Sequence, residues 1–375
     1  MGKVLVTGGA GFIGSHLVDQ LKAEGQDVRV VDNLDPQVHG ENAKVPDYVK
    51  DVEFLNLDVG DPGIWDQALE DVTHVVHFAA AVGLAQSMYE IAYYCRSNVM
   101  GTANLLQAIA DRDVKPERLL VASSMSCYGE GLYKCERCDF TGTHMRDEAD
   151  LDVGRWELYC PNDGSELRPV PTPEDKKFDP QFVYSINKRD QEELCLQVGK
   201  AYDIPTIALR FFSVYGARQA LGNPYTGVAA IFASRLLGGN PPLIFEDGNQ
   251  TRDFIHVSDV VGACMKSLYN EQPPSVPLNI GTGNPVTISE VATLLQKHLG
   301  GPDAEILNTY RKADIRHCFP DVSEAKEVLG WEAKIQLDEG VEQLVEWVAS
   351  QVGQESKLDS HVEELRKRGL IKESK

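Results

Sequence analysis

The 375-residue sequence has no apolar run long enough to cross a bilayer. Its most apolar stretch, Val75 to Ala85, is short and rich in Ala and Gly, where a spanning helix needs about 20 apolar residues. Positive charge is also scarce. With 36 Lys and Arg against 57 Asp and Glu, the formal charge is −21, which argues against nucleic acid or an anionic membrane as a partner. An anionic ligand would then need a local cluster of arginines or amides. No secretory signal precedes the first apolar strand at Lys3, so a cytoplasmic location is expected. In that compartment the eight cysteines are thiols or metal ligands rather than disulfides. What remains is ordinary for a soluble enzyme: 42% apolar and 25% charged residues, and length enough for two domains or one large domain with a subdomain.

The N-terminus carries the first chemical signal. Lys3-Val-Leu-Val-Thr7 reads as a strand, followed at once by Gly8-Gly-Ala-Gly11-Phe-Ile-Gly14 and a helical pattern through Leu21. Glycines at these positions permit a tight turn, close backbone approach to a pyrophosphate, and close helix–sheet packing. The helix start then offers free N–H groups to the phosphates. A second apolar strand, Asp27 to Val31, ends in Asp32, 18 residues after Gly14. A carboxylate there accepts hydrogen bonds from an adenosine ribose and repels a 2′-phosphate, which favours NAD over NADP. Further strands are expected at Val52–Leu57, His74–Phe78, Arg118–Ala122 and Ile204–Arg210, with a helix over Cys95–Ala110. This alternation predicts an α/β fold with a Rossmann-type, doubly wound parallel sheet. His74 and His77 fall inside a strand and read as core or edge residues.

The second signal is Phe182-Val-Tyr-Ser-Ile-Asn-Lys188. On a helix, Tyr184 and Lys188 share one face, one turn apart. An ammonium beside a phenol stabilises the phenolate and should lower the tyrosine pKa, making the pair a proton shuttle.

Together these motifs resemble the extended short-chain dehydrogenase/reductases of the NAD-dependent sugar-nucleotide epimerase/dehydratase family. Thr7-Gly8-x-x-Gly11-x-x-Gly14, Asp32, Asp58, Ser124 before Cys127-Tyr128-Gly129, and Tyr184-x-x-x-Lys188 carry the likeness. Arg210-Phe-Phe-Ser-Val-Tyr-Gly216, Arg252 to Asp259 and Asn279-Ile-Gly-Thr-Gly283 extend it as far as Trp331. The resemblance implies a catalytic set of Ser124, Tyr184 and Lys188. It implies cofactor contacts from Gly8, Gly11, Phe12, Ile13 and Gly14 at the phosphates, and from Asp32, Asn33, Asp58 and Val59 at the adenosine. At the nicotinamide end it implies Ala79, Ala80 and Asn98, with Tyr184 and Lys188. The implied partner is a nucleoside-diphosphate sugar, bound through Ser126, Ser213, Arg252, Arg311 and Asp314; Arg218 joins them as a candidate from residue type alone, since the guanidinium fork matches phosphate oxygens. Ser213 departs from the asparagine usual in the family. The resemblance also implies a homodimer that pairs helices near Tyr94–Ala110 and Tyr184–Tyr202.

The reaction expected is transient oxidation of a sugar hydroxyl and return of hydride on the other face. Dehydratases of the family carry an Asp-Glu pair after the serine, and here Met125 and Ser126 stand there. Neither is a general acid or base, so a 4-epimerase is favoured. Val170 to Lys176, Asn223-Pro-Tyr-Thr-Gly227 and the insertion below resemble enzymes acting on dTDP-linked 6-deoxy sugars such as dTDP-L-rhamnose, with Val82, Leu84 and Met125 as an apolar wall. A UDP-hexose or UDP-uronate 4-epimerase would share every catalytic residue. A nucleotide-sugar reductase or dehydrogenase, and a non-catalytic NAD or redox sensor, remain as alternatives from other classes.

Between Ser124 and Tyr184 lie 59 residues, more than the family needs. They hold Cys135-Glu-Arg-Cys138 and, after 21 intervening residues, Cys160-Pro-Asn-Asp163-Gly. This is zinc-ribbon-like spacing in which Asp163 stands where a fourth cysteine would be. Asp163, His144 or Cys127 could complete a tetrahedron around a structural zinc; the other reading is a loop with free thiols. The expected organisation is residues 1–212 as the NAD-binding domain, with the insertion at 130–175, then 213–349 as a smaller α/β substrate domain with segments returning to the first. Residues 350–375 read as a peripheral tail, with an amphipathic stretch from His361 to Leu370.

Overall fold

The computed structural model describes residues 2–221, 223, 227–272, 274–351 and 358–374. Its centre is a seven-stranded sheet of β1 (Lys3–Thr7), β2 (Val28–Asp32), β3 (Glu53–Asn56), β4 (Val72–His77), β5 (Arg118–Ser124), β6 (Thr206–Phe211) and β7 (Val276–Ile280). The strands lie in the order β7-β6-β5-β4-β1-β2-β3, every neighbour parallel. Strands covered on both faces read as apolar runs, as Val4-Leu-Val6 of β1 and Leu119-Leu-Val-Ala122 of β5 do. Alternation along β1 sends Val4 and Val6 to one face and Leu5 to the other. On the first face they meet helices α1 (Phe12–Ala23) and α4 (Val257–Leu268) through Leu17, Leu21, Val260 and Leu268. On the second face α2 (Gly101–Asp111) and α3 (Val183–Ala201) supply Leu105, Ile109 and Cys195. The chain runs outward from β1 to β3 and then crosses to β4 on the far side of β1. That reversal opens a crevice at the carboxyl ends of the strands, where ligands bind in such sheets.

The helix expected from Cys95 to Ala110 belongs to a longer helical run, Ile91 to Asp111, with a widened π turn over Cys95–Met100. Such turns recur at functional sites. The insertion folds as a small antiparallel sheet of Leu132–Lys134, Thr141–Gly142 and Arg168–Val170. Tyr133, Cys135, Leu158, Cys160 and Leu167 make its own core. After β6, the parallel pair Ser213–Tyr215 and Thr251–His256 and the helices Val228–Leu237, Ile288–Leu299 and Leu337–Ala349 surround a third core. From this half, α4 and β7 return to the main sheet. Of the stretch Asn223 to Gly227, residues 224–226 lie outside the described residues. Among the described residues no helix is long and apolar enough to cross a membrane.

The end of the chain differs from the expectation of a peripheral tail. A helix spans Leu358–Lys367, and its Leu358, Val362 and Leu365 are buried with Ile371 against Ile231, Leu243, Phe245 and Ala85. The strand after it, Ile371–Glu373, pairs antiparallel with Thr309–Arg311. The amphipathic stretch expected from His361 thus begins at Leu358, and its stripe at 358, 362 and 365, at helical spacing, is buried rather than peripheral.

Candidate active site

The crevice beside β1 is a cleft of about 370 Å³. Gly8, Gly11 and Gly14 line it with Phe12 and Ile13, at the amino end of α1. Two of these glycines are required by space. Gly8 has φ +70 and a Cβ there would sit 2.8 Å from the Ala79 nitrogen; a Cβ on Gly14 would meet the Gly8 carbonyl oxygen at 2.2 Å. Asp32, at the end of β2, accepts from the Ala10 amide at 3.0 Å and the Leu34 amide at 2.9 Å. Burial raises its pKa, and these amides and His39 oppose that rise. Asn33, Asp58 and Val59 line the same cleft. Asp58 accepts from the Gly60 amide at 2.7 Å and from Arg96 at 3.1 Å. Ala79 and Ala80 also line it, but Asn98 does not. From the π turn, the fully buried Asn98 amide grips Ala81 on both edges, accepting from its N–H at 2.7 Å and donating to its carbonyl at 3.1 Å. It shapes the cleft wall from behind. His77 is buried, bonded to the Thr7 and Thr102 hydroxyls.

Ser124, Tyr184 and Lys188 converge on this cleft. Ser124 ends β5, and the other two stand one turn apart on α3. The Lys188 ammonium donates to the Ala122 carbonyl at 3.1 Å and lies 6.0 Å from the centre of the Tyr184 ring. The electrostatics correct the expectation drawn from spacing. Tyr184 is pushed above its ordinary range by burial first and by Cys127 second, with only a hydrogen bond from Ser124 pulling down. Lys188 is itself driven down to about 8 by burial. A desolvated ammonium is costly to keep charged, so here the loss of water outweighs the attraction between the pair.

The floor under these groups is a buried polar network. Ser123 donates to Glu192 at 2.5 Å, and Glu192 accepts a forked pair of bonds from Arg210. Arg210 also donates to the Tyr128 hydroxyl at 2.6 Å, which donates on to Asn279 at 2.8 Å. The Arg210 and Asn279 side chains thus support the site without lining it, whereas Phe211, Phe212 and Val214 after Arg210 line the cleft itself.

A second cavity, of about 260 Å³, takes its walls from Ser213, Arg252, Arg311 and Asp314. It adjoins the first at Phe212–Ser213, one residue lining each. Arg252 and Arg311 both contact the Asp314 carboxylate, at 3.5 and 2.7 Å. Burial pushes Asp314 up, but Arg311 and Arg252 outweigh it and hold the carboxyl below its ordinary range. Arg218 is not with them. It has φ +69, pairs with Asp19 at 2.7 Å and stacks 4.5 Å over the Tyr48 ring. Ser126 lines neither cavity; its amide donates to Ser124 at 3.1 Å, and its hydroxyl is buried with no partner among the described residues. Val82 faces the first cavity and Leu84 the second, while Met125 packs with Tyr128, Phe212 and Cys318. Sequence reasoning missed Tyr93 and Ser97 in the first cavity, and Glu246, Gln250 and the 358–365 helix face in the second. Only the apolar spacing of that helix could have announced it.

In the insertion, Cys135, Cys138, Cys160 and Asp163 bring one ligand atom each within 4.8 Å of one another. The Cys138 and Cys160 sulfurs are 3.5 Å apart, and Cys135 lies 3.8 Å from an Asp163 oxygen. A tetrahedral zinc with bonds of about 2.3 Å spaces its ligands by about 3.8 Å, so the donor set fits that ion. The Arg137 amide points at the Cys135 sulfur from 3.3 Å. The other two candidates fall away: His144 is exposed and outside this group, and Cys127 is buried beneath Tyr184, 3.6 Å from the Ser185 carbonyl. The insertion is bolted to the second cavity. Its buried Arg146 forks onto Glu246 at 2.7 and 3.0 Å and donates to the Asp314 carbonyl at 2.8 Å. Its Glu157 accepts from Arg316 at 2.5 Å and contacts His317 at 3.0 Å.

The sequence pattern of the NAD dependent epimerase/dehydratase family matches residues 4–147 and 158–281. Over 357 residues the chain is 33% identical to a dTDP-L-rhamnose 4-epimerase of Burkholderia thailandensis, covering 93% of this chain and 96% of that one. It is 31% identical to a putative UDP-glucose 4-epimerase of Methanocaldococcus jannaschii, covering 92% and 98%. Among solved structures, MoeE5 in complex with UDP-glucuronic acid and NAD superimposes with a TM-score of 0.75 at 31% identity, covering 94% of this chain and 100% of MoeE5.

Proposed function

The chain belongs to the NAD dependent epimerase/dehydratase family, and from that premise we propose that it is an isomerase, an NAD-dependent nucleotide-sugar 4-epimerase acting on dTDP-L-rhamnose. The observation that carries the reading is the convergence of Ser124, Tyr184 and Lys188 on the cleft that also holds the glycine loop and Asp32. Bound NAD supplies the hydride acceptor and donor, and its positive ring favours ionisation of a nearby phenol. Tyr184, as phenolate, takes the proton from the sugar 4-hydroxyl, and Ser124 donates a hydrogen bond to the same oxygen. Lys188 would hold the nicotinamide ribose when NAD is bound. After the keto-sugar turns over, Tyr184 returns its proton to the oxygen on the inverted centre. Met125 and Ser126 offer no acid–base pair for eliminating water, so oxidation leads back to the hydroxyl.

The sugar preference rests on the relative from Burkholderia thailandensis and on Val82 and Leu84, apolar groups suited to a 6-methyl. A UDP-hexose or UDP-uronate 4-epimerase is the second reading, favoured by the 31% identity to the putative UDP-glucose 4-epimerase. Direct competition between dTDP-L-rhamnose and UDP-glucose or UDP-glucuronate, with separation of stereoisomers, decides between them. A higher kcat/KM for a UDP sugar overturns the substrate, and net change in reduced cofactor overturns the epimerase.

The rest of the reading is a cytoplasmic homodimer with a smaller substrate domain after residue 212 and a structural zinc held by Cys135, Cys138, Cys160 and Asp163. Exposed Ile91, Met100 and Ile186, on the helical run and on α3, suit a subunit interface. Elemental analysis of freshly purified protein tests the metal: well below one zinc per chain refutes it.

A further inference from the structure

The helix Leu358–Lys367, expected to be peripheral, supplies four of the residues that line the second cavity: Leu358, His361, Val362 and Leu365. These positions fall on one helical face. The helix is held at both ends. Near its start Asp359 pairs with the buried Arg235 at 2.8 Å, and beyond its last turn Arg368 stacks 4.0 Å over the Tyr89 ring. The strand that follows pairs Ile371 directly with Arg311. One short segment therefore forms an apolar wall of the cavity and also fixes the strand that presents one of its arginines.

The cavity lining divides by chemistry. Arg252 and Arg311, gathered around Asp314, supply the positive charge that suits a diphosphate. The helix face, with Phe245 and Leu243, supplies an apolar slot, and His361 is the polar side chain on it. Such a slot suits a flat heterocycle better than a hydroxyl-covered sugar. Burial and the nearby Arg311 push the His361 imidazole down to about 4, so it is neutral at physiological pH. The two ring nitrogens of an imidazole point away from each other, so a neutral His361 meets the imide edge of a pyrimidine through one nitrogen, as donor or acceptor by tautomer.

We propose that this C-terminal helix is the nucleobase-reading wall of the site, with His361 facing the polar edge of a pyrimidine and Val362 and Leu365 its apolar side. The inference rests on the nucleotide-sugar reading above and adds which part of the chain chooses the base. An apolar wall favours a 5-methyl, so thymine is preferred over uracil by the burial of one methyl group, about 0.8 kcal/mol or roughly fourfold.

The test measures binding of dTDP and of UDP by calorimetry to the NAD-loaded full chain, so it does not depend on turnover. His361→Leu should weaken both diphosphates by roughly tenfold, and Val362→Trp, which fills the slot, by at least as much. Val362→Ala should lower the ratio of dTDP to UDP affinity. The exposed Glu363→Ala should change nothing, and NAD retention should be equal throughout. If Val362→Trp fails to fold, His361→Leu and Val362→Ala still decide. Folded His361→Leu and Val362→Ala variants that bind both diphosphates like the parent overturn the proposal. A parent that binds dTDP as proposed but epimerises no sugar overturns the proposed function and leaves the base-reading wall standing.

Discussion

The cleft behind the glycine loop takes its walls mainly from the carboxyl ends of strands in one sheet, whereas the second cavity collects residues from places as distant as Leu84, Ser213, Phe245, Arg311 and Leu365. Each wall of the first is a short segment whose residue types are dictated by the backbone or by the reaction. No Cβ fits at Gly14, and only an ionisable hydroxyl in proton-transfer reach does the work of Tyr184. The second is held together by ion pairs between segments: Arg146 to Glu246, Arg316 to Glu157, and Arg311 and Arg252 to Asp314. The first cavity is thus a product of the fold, and the second a product of assembly. Damage to the first should abolish chemistry; damage to the second should weaken substrate binding or stability and spare the cofactor.

Tyr184→Phe is the strongest cut at the first. It removes the proton acceptor but not the cleft, so kcat should fall by about 10²–10⁴, or about 3–5 kcal/mol of barrier, with NAD still bound. Steady-state rates within tenfold of the parent would remove Tyr184 from the mechanism.

Arg146→Met is the matching cut at the second cavity, made on a residue that does not line it. The change leaves the buried Glu246 with Arg316 and the buried Glu130 without its nearest guanidinium. Removing one partner of a buried pair should lower stability by about 3 kcal/mol. It should raise KM for the nucleotide sugar more than it lowers kcat. A variant with parental melting temperature and parental KM would mean that the insertion does not brace the site.

The same contrast explains what could be read in advance. Gly8, Asp32, Ser124 and Tyr184 were legible because each sits in a fixed spacing that one chemistry demands. Asn98 and Ser126 were assigned direct contacts, yet a side chain that grips the backbone of Ala81 or sits behind Ser124 has the same signature in sequence as one that touches a ligand. Arg218 was read as a phosphate ligand from its residue type alone, and the left-handed backbone there turns it onto Asp19. The amphipathic stretch from His361 was legible, but its place at the second cavity was not, because that depends on which distant loops the helix meets. The Tyr184–Lys188 spacing was legible, but the sign of the shift was not, since spacing carries no information on how much water remains.

That sign has a consequence for stability. Lys188 titrates near 8 in the folded chain against about 10.4 for a lysine in an unfolded one. Between these values the unfolded state binds more protons, so folding stability contributed by this group rises with pH, with a slope approaching about 1.4 kcal/mol per pH unit. The comparison to make is parent against Lys188→Met by denaturant unfolding from pH 7 to 10.5. The difference between the two should grow in favour of the parent across that window. A constant difference would mean that Lys188 is not desolvated.

The smallest effect separates two roles of Asp32 that a simple truncation would confuse. Its carboxylate accepts from the Ala10 and Leu34 amides, so Asp32→Ala removes the ribose contact and also leaves two backbone donors without their acceptor. Asp32→Asn keeps an acceptor oxygen and removes only the charge. If repulsion of a 2′-phosphate underlies the NAD preference, the asparagine variant should narrow the gap between NAD and NADP by about tenfold, or about 1.4 kcal/mol, while retaining the parental melting temperature. Asp32→Ala should narrow it to a similar extent but melt lower. Binding titrations of both cofactors with both variants separate the cases. An Asp32→Asn protein with unchanged preference would show that the discrimination lies in cleft shape, with the carboxylate serving mainly to pin the loop between β1 and α1.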